Sequence, residues 1–306
     1  MTVKSYAYGR VSLLGNPSDL YGGKCISFTF DRSVNVSLND SLEFKIENKD
    51  GVERTLDYNG CHDLIKASIN ELWIMEKDFH VRYESDIPIG RGLAGSSAIV
   101  IATIRALNEH FGLGLDSYQI AERALHTELD HLGIAAGFQD RYVIAFEGVL
   151  HMDFKGKEHM RRADPLGVIT RLHVGSIPHF LCFSGDPKTS ADVHNSLRDR
   201  FLSGETTIKD HMDRIGDLAN EGIDYLLKAD WARVGLLMNK NTELREMICP
   251  HRESDMHIIK EALRYGALGA KLAGSGGAVV VLDPGGKSFI KMNFLYSCFK
   301  PRIVRP

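Results

Sequence analysis

The sequence has no long apolar run, no marked excess of charge of one sign and no closely paired cysteines. No window approaches about 18 consecutive apolar residues, the length that a membrane-spanning helix needs, and the N-terminal region lacks the apolar core of a secretory signal. The 37 basic side chains against 40 acidic ones leave a formal net charge of −3, which gives a polyanion no long-range attraction. We therefore expect a cytoplasmic protein that binds neither membranes nor nucleic acid.

The cysteines and histidines lack the spacing of metal or redox motifs. The five cysteines are far apart in the sequence and include no C-x-x-C pair. The H-E-x-x-H zinc motif is absent, and His126 and His131 are five positions apart, which puts them on different faces of a helix. We expect the thiols to be reduced and packed as small hydrophobic side chains, and the histidines to have surface or packing roles.

The composition is that of a folded globular protein. The chain has 306 residues, of which 43% are hydrophobic and 25% are charged, and it contains no internal repeat or low-complexity tract. This length suits one large or two ordinary domains. The stretch 155–167 is rich in glycine, proline and charge and precedes a new β-rich segment, so we predict domains at 1–165 and 166–306.

Alternating and helical patterns of apolar residues occur in both halves, and they predict an α+β fold. The β-rich segments 3–14 and 25–38 begin a largely antiparallel sheet. Apolar spacings of three and four from residue 94 to about residue 146 predict consecutive helices broken at glycines. The further predicted helices are 62–76, 189–202, 205–228, 230–248, 253–266 and 286–296, and the further predicted strands are 42–47, 52–58, 79–85, 148–153, 169–184 and 278–282.

The segment PIGRGLAGSSAIV, residues 88–100, follows a predicted strand and passes through glycines and serines straight into a helix. Glycines let backbone N–H groups converge on one oxygen, and a helix N-terminus adds unpaired N–H donors with a partial positive charge. The segment therefore predicts a phosphate-binding loop. The alternative is a glycine-rich turn in which Ser96 caps the helix and no ligand binds.

Spacing separates the types of phosphate loop. The P-loop of nucleoside triphosphatases requires a lysine that does not follow Gly95. Gly90, Gly92 and Gly95 match the dinucleotide fingerprint, but the acidic residue expected about 20 positions later at the end of a second strand falls where the pattern predicts helix. The V-A-I-K, H-R-D and D-F-G elements of protein kinases are absent.

The remaining type is P-x-G-x-G-L-x-S-S-A, the phosphate loop of the GHMP small-molecule kinases, which this sequence resembles. Two further blocks, GRVSLLGNPSD at 9–19 and KLAGSGGAVVVL at 271–282, resemble the N-terminal strand and turn and the C-terminal glycine loop of that family. The resemblance implies a two-domain α+β GHMP-kinase fold, with an N-terminal domain like the second domain of ribosomal protein S5 and a C-terminal α/β sandwich of ferredoxin-like type. The residues it implies for ATP binding are Pro88, Gly90, Gly92, Leu93, Ala94, Gly95, Ser96 and Ser97.

Within that family the sequence is most similar to the glucuronokinases. The similar runs include GNPSDLYGGK at 15–24, with Asn-Pro-Ser where most relatives carry Glu-His-Thr, and LGIAAGFQDRYVIAFEGVLHMDF at 132–154. The resemblance implies ATP-dependent phosphorylation of a sugar acid, D-glucuronate, to glucuronate 1-phosphate by a monomer or homodimer. The alternatives are another sugar-1-kinase or mevalonate-type activity, or a non-catalytic sensor of sugar and nucleotide on the same fold.

The resemblance also implies chemical roles. Asp140 would face the acceptor hydroxyl as a base or an orienting charge, and Arg10 would lie close to it; a surface aspartate and a structural salt bridge are the alternatives. Ser97 and Glu128 would bind Mg²⁺, although Glu128 lies one residue from the spacing of the family. The rival carboxylates for the metal are Asp130 and Glu122.

The acceptor is expected to contact Asp19 with its hydroxyl groups. The carboxylate of a uronic acid requires a cation, for which Arg141, Lys24 and Lys188 are candidates, with arginine favoured for its bidentate geometry. The C-terminal glycine loop is expected to bring backbone near the active cleft, and a plain tight loop into the next strand is the alternative. The residues of this loop are Gly274, Ser275, Gly276 and Gly277.

Overall fold

The structure, a computed structural model, describes residues 2–74, 78–88, 90–134, 137–157, 161–185 and 191–305. Contacts between residues divide the chain into two compact units. Unit 1 contains Met1–Gly9, Arg32–Ile87 and Ala94–Phe146, and unit 2 contains Arg10–Asp31, Pro88–Leu93 and Glu147–Pro306. These units partition the chain differently from the predicted border near residue 165, which stays a prediction.

Unit 1 combines a small sheet with a group of helices. Its elements are the first part of β1 (Thr2–Leu14), the second part of β2 (Lys24–Asp40), β3 (Lys45–Asn48), β4 (Gly51–Glu53), α1 (Asp63–Glu71), β5 (Phe79–Ser85), α2 (Gly95–Phe111), α3 (Ser117–His126) and α4 (Phe138–Phe146). Strand β5 pairs antiparallel with β2, with Tyr83 opposite Val36, and parallel with β3. The sheet is therefore mixed at β3, where the sequence predicts a largely antiparallel arrangement.

Helix α2 is the central element of unit 1. Val100, Ile101, Ile104 and Leu107 recur at helical spacing and are fully buried, and α2 contacts α1, α3 and α4. Burying each such side chain contributes about 1.5–3 kcal/mol to folding. Packing against α1, α3 and α4 therefore fixes the position of α2 and of its first turn within unit 1.

Unit 2 contains the rest of the strands and helices. Its elements are the second part of β1, the 3₁₀ turn Ser18–Tyr21, the first part of β2, β6 (Val149–Asp153), β7 (Val168–Arg171), β8 (His179–Phe183), α5 (Ala191–Leu202), α6 (Thr206–Leu227), α7 (Trp231–Ile248), α8 (Glu253–Arg264), β9 (Gly269–Leu272), β10 (Ala278–Leu282), α9 (Lys287–Leu295) and β11 (Ser297–Phe299). Strand β6 pairs antiparallel with β2 and with β7. A separate antiparallel sheet has the order β11-β8-β10-β9.

The separate sheet of unit 2 packs against α8 and α9. Its core includes Phe180, Val279 and Val281 from the strands and Ile258 and Ile259 from α8, all at most 2% exposed. On β9 the sheet also contacts α7. This packing fixes β9 and β10, the strands on either side of the C-terminal glycine loop.

The helices of the second half agree with the periodicity of the sequence, but the strands agree less well. Each of α6, α7, α8 and α9 lies within two residues of its predicted bounds. The sequence does not predict β9, and it predicts a single strand at 169–184, where the structure has β7 and β8. In the described part of the chain, no helix is both long and apolar enough to cross a membrane.

Cys182 and Cys298 form a disulfide bond between β8 and β11. The expectation that all the cysteines are reduced is therefore wrong for this pair. The two residues are 116 positions apart in the sequence but lie directly opposite each other in the antiparallel register, which spacing along the chain does not reveal. Cys25, Cys61 and Cys249 form no disulfide bond within the described part of the chain.

Candidate active site

The predicted phosphate loop has a left-handed backbone at alternate positions. The φ angles are 66° at Gly90, 63° at Gly92 and 60° at Ala94, and α2 begins at the next residue. Glycine adopts this conformation without strain, and the first N–H groups of a helix have no partner within the helix. Ala94 occupies the N-cap position without a side-chain hydrogen bond, so Ser96 does not cap the helix. The loop therefore leads into a helix N-terminus of the kind that binds anions.

The C-terminal glycine loop lies against the phosphate loop within unit 2. A Cβ atom added to Gly92 would lie 2.7 Å from the carbonyl oxygen of Gly276, and one added to Gly277 would lie 3.2 Å from the carbonyl oxygen of Gly90. A side chain at Gly92 would force the two backbones apart. The structure thus brings together two of the three sequence blocks that carry the family resemblance.

Arg10, from the third block, joins both loops. Its guanidinium Nη1 donates to the carbonyl oxygen of Gly92 at 2.6 Å and to that of Ala273 at 3.0 Å, and its backbone N–H donates to Leu93 at 3.1 Å. The side chain is only 4% exposed. Its positive charge therefore lies beside the phosphate loop, where it favours an anionic ligand. Arg10 belongs to unit 2 and Asp140 to unit 1, and their predicted pairing stays a prediction.

The turn between β1 and β2 is held by a buried hydrogen-bond network. Asn16 donates from Nδ2 to the carbonyl oxygen of Gly274 at 3.3 Å, and its Oδ1 accepts a hydrogen bond from Lys271. Asn241 of α7 accepts from the N–H of Gly15 at 2.8 Å and donates to the carbonyl oxygen of Asn16 at 3.0 Å. Hydrogen bonds therefore connect the Asn16-Pro17 turn to both β9 and α7.

Two buried cations, Lys271 and Arg245, lie in the same part of unit 2. Burial lowers the pKa of Lys271 well below its usual value, and the neighbouring charges of Arg245 and Arg10 lower it further. Burial also lowers the pKa of Arg245, against the opposing effect of negative groups that include Asp19. Arg245 donates to the carbonyl oxygen of Gly274 at 2.8 Å. The guanidinium of Arg245 therefore lies against the C-terminal glycine loop, whereas burial favours the uncharged form of Lys271.

The predicted acceptor-binding residues Asp19 and Lys24 lie at the same turn. Asp19 is 1% exposed and lies in the 3₁₀ turn Ser18–Tyr21. Burial raises the pKa of Tyr21 above its usual value, and the charge of Asp19 adds to this effect. Lys24 is half-buried at the start of β2. Contacts of these residues with a sugar stay predictions, and Lys188 lies outside the described residues.

In unit 1, the two predicted magnesium ligands are hydrogen bonded to each other. Ser97 and Glu128 are 1% and 0% exposed, and the Ser97 hydroxyl donates to Glu128 Oε2 at 2.9 Å. The rival Asp130 lies 3.2 Å from a histidine one turn earlier, and Glu122 accepts from a tyrosine hydroxyl at 2.5 Å. Among the described hydrogen bonds, the one from the Ser97 hydroxyl to a candidate carboxylate goes to Glu128.

Glu128 lies in a π-helical turn. Helix α3 ends at His126 and continues as the π turn Thr127–His131, and the N–H of Ile134 donates to the carbonyl oxygen of Glu128 at 2.8 Å. A π turn accommodates one more residue than an α turn, and such turns are frequent at functional sites. The one-residue offset from the spacing of the family therefore falls where the helix widens.

Arg141 is fully buried and forms an ion pair with Glu128. Its Nε donates to Glu128 Oε2 at 2.7 Å, its Nη2 lies 2.6 Å from the same oxygen, and its Nη1 donates to the carbonyl oxygen of Gly137 at 2.6 Å. The sequence predicts Arg141 as the favoured of three candidate cations for the carboxylate of the substrate. In the described contacts, the guanidinium of Arg141 binds Glu128 instead, and these contacts do not support a role in substrate binding.

The second oxygen of Glu128 is a candidate metal ligand. Oε1 is buried and has no hydrogen-bond partner among the described residues, whereas Oε2 accepts hydrogen bonds from the Ser97 hydroxyl and from Arg141 Nε and lies 2.6 Å from Arg141 Nη2. Leaving a buried polar atom without a partner costs about 1–3 kcal/mol, and more for a charged group. A carboxylate and a hydroxyl oxygen are the hard ligands that Mg²⁺ prefers. The residues present at Ser97 and Glu128 therefore fit this ion.

Asp140 lies in the first turn of α4, next to Arg141, and is 8% exposed. A carboxylate is stabilised near a helix N-terminus by the partial positive charge there. Adjacent residues in a helix are rotated by about 100° about the helix axis, so the side chains of Asp140 and Arg141 leave the helix in different directions. The role of Asp140 towards the acceptor stays a prediction.

Comparison with known proteins decides the family. Residues 59–148 match the family profile "GHMP kinases N terminal domain", and residues 223–288 match "GHMP kinases C terminal". The chain is 31% identical over 319 residues to Glucuronokinase 1 from Arabidopsis thaliana, in an alignment that covers 95% of this chain and 87% of that protein. The chain belongs to the GHMP kinase family.

Other GHMP kinases are similar in sequence or in fold. The chain is 27% identical to a mevalonate kinase from Methanothermobacter thermautotrophicus, over 93% of this chain and 91% of that protein. The crystal structure of Lactococcus lactis galactokinase complexed with galactose matches with a TM-score of 0.83 at 14% identity, covering 99% of this chain and 93% of that chain. The two-domain α+β GHMP-kinase fold predicted from the sequence is thus confirmed. The protein is a small-molecule kinase that uses ATP as its phosphate donor.

Proposed function

We propose that this GHMP sugar kinase transfers the γ-phosphoryl group of ATP to the anomeric hydroxyl of D-glucuronate. The observation that carries the proposal is its similarity to a glucuronokinase over nearly the whole chain. The buried network around Asn16 supports it, because that turn carries the Asn-Pro sequence that distinguishes glucuronokinases from most relatives.

The nucleotide phosphates would bind at the N-terminus of α2. The backbone N–H groups after Gly92 and the helix dipole favour their negative charge, and Arg10 adds a positive charge beside the loop. Ser97 and Glu128 would hold Mg²⁺, which supplies charge neutralisation at the transferred group. The side chains of this site are buried, so water is largely excluded from the hydroxyl and the carboxylate.

Asp140 would receive or orient the proton of the acceptor hydroxyl. In the transfer, a bond forms between the anomeric oxygen and the γ-phosphorus, the bond from that phosphorus to the β–γ bridging oxygen breaks, and ADP leaves. The proton of the hydroxyl passes to Asp140 or is directed by it towards the product phosphate.

The cations of unit 2 favour an acidic acceptor over a neutral one. Arg10, Lys271 and Arg245 influence one another electrostatically, and all three are at most 4% exposed. Grouping positive charges in a buried place is unfavourable unless negative charge is supplied there. Asp19 supplies part of that charge, and a uronate carboxylate would supply more.

The test is a panel of acceptors assayed with ATP and Mg²⁺. We expect D-glucuronate to give the highest kcat/KM, at least about 100-fold above D-glucose, because a site built for a polar group discriminates strongly against analogues that lack it. The panel includes D-galacturonate, D-galactose and mevalonate, with ADP release as the rate and ³¹P NMR to locate the new phosphate. A preference for a hexose or for mevalonate would contradict the proposal, and inactivity with every acceptor would favour a sensor.

A further inference from the structure

We infer that Arg141 is a positioning residue of the metal site and not a ligand of the acceptor. It fixes the Glu128 carboxylate through one oxygen and leaves the other oxygen for the metal. The inference rests on the proposed function, because it takes the Mg²⁺ site at Ser97 and Glu128 from there. It gives a role to a side chain that lies next to Asp140 in the sequence.

The contacts of Glu128 are strongly asymmetric. Nε and Nη2 of Arg141 lie 2.7 and 2.6 Å from Oε2, and the Ser97 hydroxyl lies 2.9 Å from the same atom. Charge-assisted bonds of this length are among the strong hydrogen bonds of proteins. With two hydrogen bonds and a close guanidinium contact on one oxygen, the carboxylate has little freedom to rotate, and the direction of Oε1 is fixed.

A purely structural ion pair would be expected to look different. Arginine and a carboxylate usually form two parallel bonds, one to each oxygen, which satisfies both. Here Nε donates to Oε2 and Nη2 lies 2.6 Å from the same oxygen without making a hydrogen bond, while Oε1 is buried without a partner among the described residues. Nothing in an ion pair alone offsets the cost of that buried oxygen, whereas a cation at Oε1 does.

Arg141 also connects Glu128 to the helix that carries Asp140. Its Nη1 donates to the carbonyl oxygen of Gly137, one residue before α4 begins. The guanidinium therefore joins the π turn of Glu128 to the start of α4. A change at Arg141 would disturb the metal ligand directly, through a side chain that is itself 0% exposed.

The experiment compares Arg141→Met and Arg141→Lys with wild type in two measurements. The first is binding of Mn²⁺ in the presence of a non-hydrolysable ATP analogue, followed by the electron paramagnetic resonance of free Mn²⁺, and the second is steady-state kinetics over a range of free Mg²⁺. We expect Arg141→Met to weaken Mn²⁺ binding and to raise the half-saturating Mg²⁺ concentration by about 10-fold or more, the usual effect of removing a residue that orients a metal ligand. Arg141→Lys should keep part of the affinity, and the KM for D-glucuronate should change less than about 2-fold.

The matched control is Arg82→Met. Arg82 of β5 forms an ion pair with Glu47 of β3 at 2.5 Å in the sheet of the same unit, so its loss should leave Mn²⁺ binding unchanged. Circular dichroism checks that each variant is folded, and Arg141→Lys provides the test if Arg141→Met does not fold.

Two outcomes would overturn the inference. If the Arg141 variants bind Mn²⁺ as wild type does but have a raised KM for D-glucuronate, Arg141 contacts the substrate. If neither the Mn²⁺ affinity nor this KM changes, Arg141 has only a structural role. Failure of the proposed acceptor is distinguishable from either, because it is read from the acceptor panel of the wild-type enzyme and does not alter the Mn²⁺ measurement. Glu128→Gln tests the metal site itself, and unchanged Mn²⁺ binding in that variant would refute both the site and the inference.

Discussion

Asp140 is the residue on which the proposed chemistry depends most directly. Asp140→Asn keeps the size of the side chain but removes its charge and its ability to accept a proton. We expect kcat to fall by about 10²–10⁴-fold, the usual contribution of a general base, while the affinity for an ATP analogue stays within about 2-fold. Steady-state kinetics and calorimetric titration measure the two quantities.

Asp50→Asn is the matched control for that change. Asp50 is an exposed carboxylate between β3 and β4 of the same unit, and its loss should leave kcat within about 2-fold of wild type. A near-normal kcat for Asp140→Asn would mean that another group faces the acceptor hydroxyl.

Single residues could be predicted where a motif fixes the backbone, and less well where a side chain meets a distant partner. Gly90 and Gly92 stand in a motif whose glycines are needed for a left-handed backbone, and the structure has that backbone. Arg141 follows Asp140 in the motif, but its contact with Glu128 depends on how α4 meets the π turn. Lys271 begins a block that the sequence singles out, yet its network with Asn16 joins residues 255 positions apart.

Among the elements, the phosphate loop makes the most specific demand on its sequence. At Gly92, alanine would adopt a φ of 63° and would place its Cβ 2.7 Å from the carbonyl oxygen of Gly276. We expect Gly92→Ala to lower the free energy of unfolding by about 1–3 kcal/mol and to raise the KM for ATP by about 10-fold or more, because the loop must move away from its neighbour. Urea unfolding and kinetics provide the two numbers.

Gly114→Ala separates backbone strain from steric overlap. Gly114 has a φ of 70°, but a Cβ there meets nothing within 4 Å. We expect a cost of about 1–2 kcal/mol from the left-handed backbone alone, with an unchanged KM for ATP. Equal effects of the two substitutions on the KM would show that contact with Gly276 does not shape the loop.

Strand β8 makes folding depend on pH through His179. Its Nδ1 lies 2.7 Å from the carbonyl oxygen of Ile177, its ring contacts Phe28, and its Nε2 is buried without a partner among the described residues. Burial lowers the pKa of His179 below its usual value of 6.5. The unfolded chain therefore takes up a proton below pH 6.5 that the folded protein resists, so stability is full above that pH and declines as the pH falls towards the lower folded pKa.

The measurement is urea unfolding at pH 7.5 and at pH 5.5. His179→Phe should lose less stability between these values than wild type does, whereas a variant of the exposed His173 should behave like wild type. An unchanged pH dependence in His179→Phe would assign the effect to other groups.

The elements that sequence predicts best are those whose apolar pattern is long enough to be periodic. Helices α6 and α7 satisfy this condition, and their bounds agree with the pattern. Strand β9 has only four residues, all buried, so its sequence shows no alternation between two faces. The disulfide between Cys182 and Cys298 likewise depends on a register that forms only when β8 and β11 pair.

For the whole molecule, the family and fold could be predicted from the order of three sequence blocks, because each block specifies a local backbone shape. The partition into contact units could not, since it depends on which distant segments pack together. Unit 2 draws on Arg10–Asp31 and Pro88–Leu93 as well as on the second half of the chain. The predicted residues of the site thus belong to both units.

The bonds that Arg10 makes have a consequence for how the protein is synthesised. The guanidinium of Arg10 donates hydrogen bonds to the carbonyl oxygens of Gly92 and Ala273. Arg10 and Gly92 leave the ribosome long before Ala273 does. A growing polypeptide therefore carries the phosphate-loop residues for most of its translation without the partner that completes their hydrogen bonding. A product truncated before Ala273 would contain every residue of the first third of the chain that is predicted to bind nucleotide and would still lack this hydrogen-bond partner of Arg10.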